Sequence, residues 1–239
     1  MITTFVAVCY YNRKMHAKMT AEDIAKELHQ KLENIEPAQR FMLGIVGYPG
    51  AGKSTAANAI VDSFNQLTGN DDAIVVPMDG FHLPNEQLEQ LDLLALKGIP
   101  ESFDAGAFVD LLRRLRSAAD TVRAPLFERR IEASIQDAIA IHPKHRLLVV
   151  EGNYLLLKDP PWKEVRPLLN EVWFIDTSLE TVYDRLVERH KQGGRSEKGA
   201  IEKVQNTDMR NAHLIDGTKI FADRLIAVVL ESQKKEYQE

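Results

Sequence analysis

A single cysteine, Cys9, stands in 239 residues. The chain can form no intrachain disulfide, and such sparse cysteine fits a reducing cytosol. No apolar run approaches the roughly 20 residues that span a bilayer, so no membrane segment is expected. Residues Phe5 to Tyr11 are apolar, but no Lys or Arg precedes them and no small-residue cleavage site follows. The segment therefore does not read as a secretory signal. The net charge of −5 is mild and not gathered in a tail, which gives no electrostatic footprint for nucleic acid. Repeats, low-complexity tracts and linkers are lacking. Also missing are the dinucleotide-binding G-x-G-x-x-G, the guanine-reading N-K-x-D and the L-S-G-G-Q of transporter ATPases. His142, His145 and His213 have no metal-ligand spacing with other His or Cys residues.

What is present is organised around residues 41–55, Phe-Met-Leu-Gly-Ile-Val-Gly-Tyr-Pro-Gly-Ala-Gly-Lys-Ser-Thr. A short apolar run leads into G-x-x-x-x-G-K-S, and the helix-forming Ala56 to Val61 follow. Gly47, Gly50 and Gly52 let the backbone of Gly47, Tyr48, Pro49, Gly50, Ala51 and Gly52 wrap a phosphate closely. The amides then point inward, and the following helix aims its positive dipole end the same way. Lys53 would reach the β- and γ-phosphates and the Ser54 hydroxyl would ligate Mg²⁺, with Thr55 beside them. ATP is favoured over GTP. A Gly-rich turn without a ligand is the competing reading of this stretch.

Along the chain, Ile24, Leu28 and Leu32 at four-residue spacing predict an amphipathic helix over 20–34, with Thr20 and Asp23 resembling a capping box. Apolar runs at 73–76, 147–152, 172–176 and 225–230 read as strands, the last of them closing the sheet. Helices are expected at 85–96, 105–117, 179–190 and 197–215. Strands alternating with helices predict an α/β fold, a doubly wound parallel sheet flanked by helices, with ligands at the carboxyl ends of its strands. Arg113, Arg114 and Arg116 read as a solvated face, and Trp162 and Trp173 as packing residues.

Lys53/Ser54, Asp79 and Glu151 sit at the ends of predicted strands and should converge on one crevice. Phosphoryl transfer to a hydroxyl needs a carboxylate near the metal and another that can take the hydroxyl proton. For Asp79 the bland alternative is an Asx turn beside Gly80; for Glu151 it is a solvated strand end. His82 could touch an acceptor or be structural.

The P-loop, Met78-Asp-Gly-Phe-His82, Gly98-Ile-Pro-Glu-Ser-Phe-Asp-Ala105 and Glu151-Gly-Asn-Tyr-Leu-Leu156 occur in that order. Together they resemble the phosphoribulokinase/uridine kinase group of P-loop kinases over about residues 40–230, nearest the pantothenate-kinase-like bacterial nucleoside/fructose-transport kinases. The resemblance implies a P-loop kinase fold that moves the γ-phosphate of ATP to a small-molecule hydroxyl. It implies Asp79 as base and Glu151 as the acid near Mg²⁺, with His82, Phe103, Asp104, Arg129 and Tyr154 as acceptor-site candidates. Pro125-Leu-Phe-Glu-Arg129 carries Glu128 where the family usually has Asp. Arg185 and Arg189, four apart on one helix, with Arg195 beyond Gly193-Gly194, are similar to a small helical lid that closes over phosphates. A solvated basic helix paired with Asp184 and Glu188 is the other reading. Asn206, Asp208 and Asn211 resemble a family stretch without an assigned role. The expected division is an extension over 1–39 and a kinase domain over 40–239, with the lid about 185–200. Monomer and homodimer are both open, and the acceptor is unspecified. The competing function class is a regulatory or chaperone-like ATPase that acts on a protein partner.

Overall fold

The computed structural model describes residues 16–117 and 119–229. Cys9 and the apolar 5–11 segment lie outside them. Six strands form one parallel sheet: β1 (His16–Thr20), β2 (Phe41–Val46), β3 (Ala73–Pro77), β6 (Leu147–Gly152), β7 (Glu171–Ile175) and β8 (Arg224–Val229). Their order is β1-β8-β7-β2-β6-β3. β2 and β6 are buried along their whole lengths, as central parallel strands covered on both faces must be. β4 (Val122–Glu128) and β5 (Ala133–Ile141) form a separate antiparallel hairpin with an irregularity between Ala124 and Leu126.

Seven α-helices flank the sheet among the described residues: α1 (Ala21–Glu33), α2 (Lys53–Thr68), α3 (Asn85–Gln90), α4 (Ala105–Ser117), α5 (Leu179–Gln192), α6 (Glu197–Lys203) and α7 (Met209–Asp216). The fold is thus the α/β P-loop architecture that the alternation predicts. α1 starts at the Thr20–Asp23 capping box and buries Ile24, Leu28 and Leu32 in the common core. Three differences from the sequence reading stand out. The 85–96 helix is a short α3 followed by a single 3₁₀ turn, Leu94–Leu96, because Asp92 breaks it with a left-handed φ of 56°. The 197–215 helix carries a π-helical turn, Val204–Asp208. β8 does not end the sheet, since β1 pairs in parallel along its outer side.

Candidate active site

The P-loop runs from β2 into α2 in the middle of the sheet. Gly50 and Gly52 hold φ of 76° and 91°, a region that favours glycine. Gly52 is the N-cap of α2, no side chain caps it, and a Cβ there would meet nothing within 4 Å. The loop is a bare cradle at a helix N-terminus, suited to an anion. Tyr48 is buried, and its hydroxyl donates to Asp216 Oδ1 at 2.5 Å. What Tyr48 offers the loop is its carbonyl, which accepts from Lys53 Nζ at 2.9 Å. Burial holds the Lys53 pKa below its ordinary value, while Glu151 and Asp79 pull it back upward.

Ser54 Oγ donates to Glu151 Oε1 at 3.0 Å. Burial first, and then the charge of Asp79, push the Glu151 carboxyl up to about 7. Asp79 sits on the 3₁₀ turn Met78–Phe81 that follows β3. Because Pro77 pairs with Glu151 in the β3–β6 ladder, the two acids leave neighbouring strands side by side. Arg129, at the tip of the β4–β5 hairpin, donates to Asp79 Oδ2 at 3.3 Å. Arg189 of α5 lies within electrostatic reach of Lys53, Arg129, Asp79 and Asp208. Desolvation and the charge of Arg129 lower its pKa.

Arg185 lines an open cleft of about 350 Å³ together with Gly50, Gly52, Thr55, Thr177 and Val228. Thr177 and Val228 escaped the sequence reading because nothing marks them until β7 and β8 bring them beside the loop.

The remaining candidates have packing partners. His82 Nδ1 meets the Asp79 carbonyl at 2.8 Å, which makes it the donor, and its ring lies between Phe103 and Phe127 at 4.0 and 4.6 Å. Burial lowers the His82 pKa, which favours the neutral ring. Phe103 is buried against His82, Tyr154 and Trp162. Asp104 Oδ1 accepts from Ala107 N and so caps α4. Tyr154 is fully buried and its hydroxyl donates to the Gly98 carbonyl at 2.5 Å. Gly80 is the contact between turn and hairpin: a Cβ there would stand 2.3 Å from Pro125 O. The triplet Arg113, Arg114 and Arg116 lies on α4, where Arg113 pairs with Asp110 and Glu164.

Ser54 and Glu151 present the oxygen donors that Mg²⁺ prefers, and two protein oxygens suit an ion that keeps several waters and binds phosphates. No group of three or more His, Cys, Asp or Glu able to enclose a metal exists among the described residues. No helix there is long and apolar enough to cross a membrane.

A P-loop opposite paired acids at the carboxyl ends of a parallel sheet defines a phosphoryl-handling α/β protein. A Schizosaccharomyces pombe protein named "putative uridine kinase" is 32% identical over 219 residues, covering 87% of this chain and 93% of the relative. The crystal structure of a "putative fructose transport system kinase" from Silicibacter sp. TM1040 superimposes with a TM-score of 0.79 at 33% identity, covering 87% of this chain and 98% of that one. A pantothenate kinase of Brevibacillus brevis is 28% identical over 169 residues, which cover 71% of this chain and 52% of the relative. No family model matches. The chain belongs to the P-loop kinase family of the uridine kinase/phosphoribulokinase type.

Proposed function

We propose that the protein transfers the γ-phosphoryl group of Mg·ATP to a hydroxyl of a small molecule. The observation that carries this reading is the convergence of Lys53 and Ser54 with two acids from adjacent strands, Asp79 and Glu151. An attacking water would also need a base, so the response to added acceptors is what separates transfer from hydrolysis.

The P-loop amides and Lys53 hold the triphosphate, and the open cleft beside Arg185 and Thr177 takes the nucleoside end. Mg²⁺ would be held by Ser54 Oγ and by Glu151, directly or through water, and would supply charge neutralisation on the β- and γ-phosphates. The acceptor hydroxyl approaches Asp79, displacing the Arg129 contact. As its oxygen forms the new bond to phosphorus and the bond to ADP breaks, its proton passes to the Asp79 carboxylate. Arg189 and Arg129 stabilise the charge on the transferring group. Residues about 185–200 act as a lid over the bound nucleotide.

Coupled ADP release with Mg·ATP, measured across nucleosides, pantothenate, ketoses, aldoses and glycerate, tests the reading. Stimulation by one compound, lost in Asp79→Asn, supports it and names the acceptor class. Slow release that no compound stimulates favours a regulatory ATPase acting on a protein partner.

A further inference from the structure

The backbone of residues 95–98 is gripped from two directions. Tyr154, just past β6, donates to the Gly98 carbonyl at 2.5 Å, and Asn211 Nδ2 of α7 donates to the same oxygen at 3.0 Å. Lys203 Nζ, at the end of α6, donates to the carbonyls of Ala95 and Lys97 at 3.1 and 3.4 Å. Gly98 itself holds φ of 110°, and its N–H donates to Ser102 Oγ at 2.9 Å. From there the segment leads directly to Asp79. Leu83 N donates to Ser102 O and Asp104 N to Phe81 O, while Phe103 stacks on the His82 ring that donates to the Asp79 carbonyl.

Lys203 and Asn211 flank the π-helical turn Val204–Asp208. Over eight residues an uninterrupted α-helix rotates about 80° beyond two full turns. The extra residue accommodated by one π-turn removes about 100° of that rotation. The two side chains therefore come round to within about 20° of one another and reach the same stretch of backbone. The turn also carries Asp208, whose Oδ2 lies 2.7 Å from His190 Nε2 on the lid helix α5, one residue from Arg189.

On the kinase reading of the site, we infer that Lys203 and Asn211 are positioning residues which tie the 95–104 acceptor segment to the lid, so that closing Arg189 over the nucleotide and ordering the acceptor side are one movement. The π-turn is the joint: Asp208 holds the lid on one side, and Lys203 with Asn211 holds the acceptor segment on the other.

Amide hydrogen exchange in the full-length protein, with and without Mg²⁺ and a non-hydrolysable ATP analogue, tests this. In the native chain the nucleotide should slow exchange about tenfold in both 185–196 and 95–104. In Lys203→Met/Asn211→Ala, and in Lys203→Met alone should the double variant not fold, protection of 185–196 should persist. Protection of 95–104 should fall by about threefold or more. A purely structural role would leave this nucleotide-dependent difference unchanged. Full protection at 95–104 in a folded variant overturns the inference. So does a native 95–104 segment that ignores the nucleotide while 47–55 and 185–196 respond. If 47–55 does not respond either, it is the nucleotide-binding reading that fails. The grip is then decided without nucleotide: the variants should exchange 95–104 about threefold faster, and an unchanged rate overturns it.

Discussion

Ser54 Oγ lies 3.0 Å from Glu151 Oε1, joining the first turn of α2 to the end of β6 inside a site whose acids repel one another. Both burial and Asp79 favour the protonated form of Glu151, whose pKa is about 7 in the fold against 4.5 for the free side chain. The nucleotide-free fold therefore keeps Glu151's contribution to stability below pH 4.5 and loses it as pH rises through about 7. Glu151→Gln should raise the thermal midpoint by several degrees at pH 8, with the gain shrinking toward pH 4.5, while turnover falls steeply. Melting curves of both proteins at pH 5 and pH 8 decide this; a variant no more stable at pH 8 would contradict it.

Asp79→Asn removes the proposed base but leaves the P-loop intact. Turnover should drop by ~10²-fold or more with nucleotide affinity nearly unchanged. Full turnover in this variant would sink the base assignment.

Lys53→Ala should weaken nucleotide binding and turnover together, because charge-assisted hydrogen bonds of ~1.5–3 kcal/mol are lost. Calorimetric titration with the ATP analogue provides the check, and undiminished affinity would count against the P-loop reading.

The two arginines of α5 should behave differently. Arg189→Ala, within electrostatic reach of Lys53 and Asp79, should lower kcat by ~10²-fold, whereas Arg185→Ala, in the wall of the open cleft, should mainly raise KM for the nucleotide. Matching kinetic defects in the two variants would argue against the separation.

Gly80→Ala places a methyl against the Pro125 carbonyl and not against a movable side chain. The hairpin that carries Arg129 must shift, with an expected loss of about 1–3 kcal/mol in stability and a fall in turnover. Denaturant unfolding beside steady-state kinetics measures both, and a wild-type midpoint would refute the contact.

Much of this was legible in the residues themselves. The P-loop announces itself because the glycines, Lys53 and Ser54 are contiguous, and β2 and β6 because each is a buried apolar run, broken in β6 only by Glu151 near its end. The helix 105–117 follows from its amphipathic spacing, with the predicted bounds. The β4–β5 hairpin was not legible: β5 is Ala-Ser-Ile-Gln-Asp-Ala-Ile-Ala-Ile, largely exposed, so it lacks the clean alternation of a half-buried strand. The grip on Gly98 was hidden for a different reason. A backbone carbonyl has no signature in sequence, and its partners Tyr154 and Asn211 come from distant segments. Asp104 and Tyr154 drew notice as members of ordered motifs, and only packing revealed a helix cap and a buried anchor.

The pairing of β1 with β8 unites nearly the first and nearly the last described segments of the chain. During synthesis β1 emerges long before its partner β8 exists, and such non-local contacts form late. The cradle strands β2, β3 and β6 can assemble while β1 waits. Its polar His-Ala-Lys-Met-Thr sequence, which disguised it as a strand, is also what makes a solitary extended segment safe from sticking to other nascent chains.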